Sequence, residues 1–211
     1  MSAETRPRVA VIDYGMGNRR SVEKALEHVG AEVAVSGDLE VLGAADALVL
    51  PGVGAFPKAM ANLRDRGFDD FINERVATGV PLLGICLGMQ LLFDSSTELG
   101  FCTGLGLIPG KVRELKAGQL PVPHIGWNDV TTVRGSAITA SLPTHGAPFY
   151  HVHSYVCDPA DPADIVANAE YGEAFTTIVA RGKIYGVQFH PEKSSRDGLN
   201  LLGAFTRLAT R

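Results

Sequence analysis

The stretch PLLGICLGMQLLF, Pro81 to Phe93, decides how this chain folds, because its character changes halfway. Up to Ile85 it is a continuous apolar run, the pattern of a strand buried on both faces. Met89 to Phe93 then reads as the start of a helix. A cysteine at a sharp strand-to-helix turn has its side chain lifted clear of the sheet, and the tight backbone there calls for small neighbours. Gly84 and Gly88 flank Cys86 at i−2 and i+2, the spacing of a nucleophile elbow with Cys in place of Ser. The helix that follows would aim its positive end at the sulfur and favour thiolate over thiol. The other reading of the same residues is a packed structural cysteine, since free Cys is among the most often buried residue types.

Working outward, the runs RVAVID, AEVAVS, DALVLPG and VPLLGIC share that apolar character and read as parallel strands covered on both sides. Val22, Ala25, Leu26 and Val29 follow helical spacing and stop at Gly30, giving one βαβ unit. Phe68, Phe71, Ile72 and Val76 mark a later helix ending near Gly79, just before the strand that leads to Cys86. From about Leu105 the segments GLGLIPGKVREL, PFYHVHSYV, DIVANAE, AFTTIVA and KIYGVQF are β-rich, and a helix with Leu201, Leu202, Phe205 and Leu208 on its apolar face closes the chain. The expected fold is three-layer α/β with a mixed, largely parallel sheet.

Composition bounds the function. The 211 residues, 45% hydrophobic, suffice for a buried core, and no linker divides them, so one domain spanning 1–211 is expected. A net charge of −4 without a basic cluster argues against nucleic acid or a membrane surface as partner. No signal segment and no long apolar run are found, which points to a soluble, cytoplasmic protein. Cys86, Cys102 and Cys157 are odd in number and lack metal-type spacing, so neither a disulfide framework nor a metal site is expected. His151 and His153 share one strand face, but no third ligand follows at a recognisable spacing.

A nucleophilic Cys needs a base, and the base needs an orienter. Of His28, His124, His145, His151, His153 and His190, the last ends the apolar strand IYGVQF and is followed by PEKS. Pro191 turns the chain, and Glu192 lies two residues on, where an extended backbone returns side chains to the same side. Alone, HPE also suits a surface histidine beside a solvated acid; together with a Cys elbow, each motif supplies the partner the other lacks.

These residues resemble the class I glutamine amidotransferases: GICLGMQ and QFHPEKS match the motifs of that family, whose flavodoxin-like α/β domain carries a Cys, His, Glu triad. DYGMGNRRSV and PHIGWN look like the subfamily of glutaminase subunits of imidazole glycerol phosphate synthase, an enzyme of histidine biosynthesis, with Arg19 a departure from an apolar position. The resemblance runs from about Val9 to Phe205. It implies hydrolysis of glutamine with Cys86, His190 and Glu192 as triad, through a γ-glutamyl thioester and without a cofactor. The oxyanion donors would be the Leu87 N–H and a second N–H from PGVG, where Val53 stands between Gly52 and Gly54; that peptide would turn inward only on partner binding. Gln90 would bind glutamine, Glu98 its α-ammonium, and the main chain of Ser154 and Tyr155 its α-carboxylate. The ammonia acceptor would sit on a separate (β/α)8-barrel cyclase subunit in a heterodimer, which makes imidazole glycerol phosphate and aminoimidazole carboxamide ribotide. Its contacts would be Tyr14, Met16, Asn18, Trp127, Asn128 and Lys183. A glutaminase subunit of another synthase and a non-catalytic α/β regulatory subunit remain as alternatives.

Overall fold

The four apolar runs of the N-terminal half each form a strand: β1 (Arg8–Ile12), β2 (Glu32–Ser36), β3 (Ala47–Gly52) and β4 (Leu82–Cys86). The computed structural model describes residues 6–143 and 146–209, so His145 and both ends of the expected 1–211 domain lie outside the described residues. Side chains along a strand alternate between faces, and here both faces meet apolar partners. Val9 and Val11 enter one core while Ala10 and Ile12 enter the other; Ala47 and Val49 oppose Leu48 and Leu50 in the same way. That double burial is why the runs lack polar alternation.

Helix α1 (Arg19–His28) buries Val22, Ala25 and Leu26 and stops before Gly30, whose φ of 96° suits only glycine well. Helix α2 (Leu39–Gly43) is too short for an apolar period, α3 (Phe56–Arg64) buries Phe56, Ala59, Met60 and Leu63 at helical spacing, and α4 (Phe68–Ala77) ends two residues before Gly79. Helix α5 runs from Leu87 to Leu91, not from Met89 to Phe93. The returning chain cuts it short: the N–H of Leu105 bonds to Leu91 O, and those of Leu107 and Ile108 to Leu92 O, so Phe93 opens strand β5 (Phe93–Ser96).

The second half continues with β6 (Cys102–Thr103), β7 (Ile108–Glu114), β8 (His124–Thr132), β9 (Ala147–His153), β10 (Tyr155–Pro159), β11 (Ile165–Tyr171), β12 (Glu173–Arg181), β13 (Ile184–Val187) and helix α6 (Ser195–Arg207). Among the described residues the main sheet has the order β2-β1-β3-β4-β13-β12-β10-β7-β5-β6, with β11, β8 and β9 branching from β12. The pairs from β2 to β13 are all parallel, and β13 is antiparallel to β12. The sheet is thus mixed and α/β, as expected. The carboxyl ends of β3, β4 and β13 lie side by side, with Gly52 opposite Cys86, and ligands of parallel sheets gather at such ends.

Cys86 occupies φ 56°, ψ −113°, a conformation that non-glycine residues avoid. The neighbouring glycines make it possible. A Cβ on Gly88 would lie 1.8 Å from Leu50 O, and one on Gly84 would lie 2.6 Å from Gly88 O. The elbow is therefore packed between β3 and its own helix α5 with no room for a side chain at Gly84 or Gly88.

Candidate active site

Three chain segments converge on Cys86. Behind it, the parallel strand β13 leads through Gln188 and Phe189 to His190, which begins a single 3-10 turn over Pro191–Lys193. His190 Nδ1 lies 2.9 Å from Glu192 Oε1. Because a carboxylate only accepts, the proton sits on Nδ1 and Nε2 is left for the sulfur. Both side chains are closed off from water, that of Glu192 completely. Burial alone would lower the pKa of His190; hydrogen bonds to Cys86 and Glu192 override it and raise the value to about 9. The histidine backbone is fixed as well, since Ser194 Oγ donates to His190 O at 2.6 Å and accepts from Tyr150 N at 3.0 Å. The sequence thus brings Cys86, His190 and Glu192 together as expected.

The sulfur faces a cavity of about 300 Å³ lined by Val53, Leu87, Gln90, Glu98, Ser154 and Tyr155 among others. Every residue expected to touch glutamine or its oxyanion therefore borders one space, except Gly52, which lies beneath it at the end of β3. Leu87 is the first residue of α5, so its N–H has no partner within the helix. Glu98 Oε2 accepts from Phe56 N at 2.7 Å, which holds the carboxylate at the cavity wall. Gln90 spends its amide nitrogen on Tyr155 O and Gln188 Oε1, both at 3.2 Å, so only its carbonyl oxygen is free for a ligand.

Two residues of this site were not singled out from the sequence. Gln188, fully buried, places Nε2 3.9 Å from Cys86 Sγ and links the sulfur to Gln90. Lys193 lines the cavity mouth, with its ammonium 5.9 Å above the Tyr150 ring. Both stand inside QFHPEKS, so the signal was present.

The six residues expected at a partner surface separate. Trp127 is 54% exposed and meets the Tyr150 ring edge-on, and Met16 is half-buried with its methyl beside Gly54. Asn128 donates to Glu170 O and points its amide at His124 Nε2, and Asn18 reaches Glu192 Oε1 at 3.5 Å. Tyr14 is corrected: it is fully buried, because the chain leaving β1 turns it under the PGVG loop. Lys183 is corrected too. It precedes β13, whose far end leads to His190, and it borders a surface hollow with Ala45, Arg75 and Pro81 at the opposite end of the strands. Arg19 pairs with Asp13 at the start of α1.

Beside the triad stands a buried chain of histidines with fixed tautomers. His153 Nδ1 donates to Tyr155 O, so its Nε2 accepts from His124 Nδ1 at 3.0 Å, and His124 Nε2 accepts from Asn128. His151 donates to Phe149 O and accepts from Thr177 Oγ1. Burial, then mutual repulsion, lowers His151 and His153 to about 3, whereas His190 is raised. A histidine held below its unfolded value stabilises the fold above about pH 6.5, and that contribution is lost as pH falls toward 3. One held above it, as His190 is, contributes fully below about pH 6.5 and loses its effect as pH rises toward 9. Unfolding free energy is accordingly expected to peak near pH 6.5–7. Its fall on the acid side should approach roughly 1.4 kcal/mol per pH unit for each buried neutral histidine. Urea denaturation from pH 5 to 8 measures this. His151→Gln should flatten the acid limb, and an unchanged limb would contradict the assignment.

The profile for glutamine amidotransferase class-I matches residues 10–206 of the chain. Among curated proteins, the imidazole glycerol phosphate synthase subunit HisH of Moorella thermoacetica is 50% identical over 200 residues, 95% of this chain and 94% of the relative. The subunit of the same name from Streptococcus sanguinis is 50% identical over 198 residues, covering 92% and 93%. Of solved structures, one described as the structure of PurLQS from Thermotoga maritima superposes with a TM-score of 0.78 at 20% identity, over 96% of this chain and 99% of the other. A crystal structure of a glutamine amidotransferase gives 0.75 at 22% identity, over 95% and 98%. With the fold, the elbow and the profile in agreement over almost its whole length, the chain belongs to the class I glutamine amidotransferases and, within them, groups with the HisH subunits.

Proposed function

We propose that this chain is the glutaminase subunit of an imidazole glycerol phosphate synthase, hydrolysing glutamine and handing the ammonia to a separate cyclase subunit. The observation that carries the reading is the Cys86 elbow, held beside a histidine whose second nitrogen is occupied by a buried carboxylate, at the floor of a cavity of amino-acid size. A non-catalytic subunit would have no use for a strained cysteine beside an imidazole held in one tautomer by a buried carboxylate.

The chemistry follows from these positions. His190 takes the Cys86 proton, and the thiolate adds to the side-chain carboxamide carbon of glutamine. The carbonyl oxygen becomes an oxyanion facing the Leu87 N–H, with the Val53 N–H as second donor once the Gly52–Val53 peptide turns inward. On collapse the C–N bond breaks, and protonated His190 gives its proton to the departing ammonia. Water, deprotonated by the same imidazole, cleaves the thioester, and the proton returns to the thiol as glutamate leaves. Glu192 keeps His190 in one tautomer throughout. The cavity suits the amino-acid end: Glu98 takes the α-ammonium, the Ser154 and Tyr155 N–H groups the α-carboxylate, and Gln90 Oε1 the substrate amide. Residues 1–211 act as a single domain with a (β/α)8-barrel cyclase as heterodimer partner, in the cytoplasm; no helix among the described residues is long and apolar enough to cross a membrane. Trp127, with Met16 beside the loop, offers the anchor for that partner.

The test combines the chain with a separately purified cyclase subunit. Acid quenching after glutamine is added should leave a glutamyl adduct on Cys86 and on neither Cys102 nor Cys157. Hydrolysis should rise about 10²- to 10³-fold from the free chain to the complex with acceptor analogue, the worth of one oxyanion donor. Equal rates in both would remove the switch, and no adduct would overturn the glutaminase reading.

A further inference from the structure

Tyr14 is the buried residue that the chemistry above leaves without a task. Its ring is fully enclosed, yet its hydroxyl makes no hydrogen bond. Buried polar groups are rarely left so, and where one is, a second state that satisfies it is a physical explanation. The hydroxyl sits against one residue in particular. A Cβ on Gly52 would meet Tyr14 Oη, Leu87 Cβ and Gly88 N, each at 2.8 Å. Gly52 is therefore flanked by the phenol and by the start of α5, and it is the residue paired with Cys86 across the sheet.

The Gly52–Val53 peptide is planar, so its N–H and C=O point in opposite directions. Any rotation that brings the Val53 N–H into the cavity carries the Gly52 carbonyl the other way. There it needs a donor, because a buried carbonyl stripped of its partner opposes the turned state. We propose that Tyr14 is a positioning residue whose hydroxyl donates to the Gly52 carbonyl when the Gly52–Val53 peptide turns, latching the oxyanion hole in its complete form. The inference rests on the glutaminase reading and adds to it a group that stabilises the working state and not the resting one. Burial raises the phenol pKa, with the nearby Cys86 adding to the shift, so the donor keeps its proton at every working pH. Gly54, at φ 104°, and Gly52, with no side chain, let the backbone rotate beside a fixed Val53.

The experiment uses the complex with acceptor analogue bound and compares wild type with Tyr14→Phe, which keeps the ring and removes one oxygen. Glutamine hydrolysis is expected to lose about 10-fold in kcat with KM changed less than twofold, the signature of an interaction made only in the transition state. A glutamine analogue with an aldehyde at the side-chain carbonyl adds the Cys86 thiol across its C=O and places an oxygen in the hole. Its affinity should fall by the same factor as kcat, while the affinity of glutamine for a Cys86→Ala background carrying Tyr14→Phe should not fall. The melting temperature of the free chain should stay level or rise, because the deleted hydroxyl was unbonded there. Unchanged kcat in the variant, or parallel losses of kcat, glutamine affinity and melting temperature, would overturn the latch. A wild-type complex that does not hydrolyse glutamine would overturn the proposed function and the latch together, an outcome distinct from a latch that fails while hydrolysis stands.

Discussion

Cys86→Ala is expected to lower glutamine-dependent product formation by roughly 10⁴- to 10⁶-fold, the range in which losing a covalent nucleophile falls. Synthesis from added ammonium salts by the same complex should remain near the wild-type rate, because only the release of ammonia passes through the sulfur. The elbow makes the substitution structurally mild: alanine fits where cysteine does, and the clashes at Leu50 O and Gly88 O concern the flanking glycines, not position 86. Parallel assays with glutamine and with ammonium chloride check this, with Cys102→Ala and Cys157→Ala as controls that should keep most activity. Cys157 is buried and its thiol is pushed well above the ordinary range by burial, so it offers no competing nucleophile. Glutaminase activity surviving in Cys86→Ala would remove the thioester from the mechanism.

His190→Ala is expected to cost about 10²- to 10⁴-fold in glutamine turnover, the usual worth of general acid–base assistance. Glu192→Gln should cost less. An amide can still accept from Nδ1–H, so the tautomer survives, but the negative charge that helps hold the imidazolium is gone. The pKa of His190, raised to about 9 in part by that carboxylate, should fall in the variant, and the alkaline limb of the pH–rate profile should move down with it. Rates from pH 6 to 10 for the three proteins decide the matter. A Glu192→Gln enzyme slower than His190→Ala, or with an unmoved alkaline limb, would require different roles.

The parallel half of the fold and the meeting of Cys86, His190 and Glu192 were legible because each depends on local rules. Doubly covered strands cannot alternate, an elbow demands small flanks, and an acid two residues beyond a strand-end histidine can return to its side. Strand β8 was not read as one, because its buried positions include His124 while its apolar Ile125 and Trp127 face outward, inverting the pattern that marks a half-buried strand. Helix α2 is too short to leave a periodic signal, whereas α3 was legible in principle: Pro57 in its first turn and Phe56, Ala59, Met60 and Leu63 at helical spacing mark it. Tyr14 was assigned to the surface because a tyrosine just past a strand carries the same sequence signal whether it turns outward or under a loop. Lys183 was avoidable: a strand rises about 3.3 Å per residue, so seven residues before His190 is the far side of the sheet. The lysine at the cavity was Lys193, three residues beyond the base.

Strand β13 sits between β4 and β12 in the middle of the sheet, yet it is encoded almost at the end of the chain. Synthesis proceeds from the N-terminus, so Cys86 leaves the ribosome about a hundred residues before β13 and His190. Throughout that interval β4 has an open, wholly apolar edge, and the thiol has no imidazole to draw its proton. The nascent protein is thus chemically silent but sticky, exposing the kind of unpaired strand that chaperones recognise and aggregates extend. On the proposed roles, insertion of β13 beside β4 would close that edge and bring the imidazole to the thiol in one step.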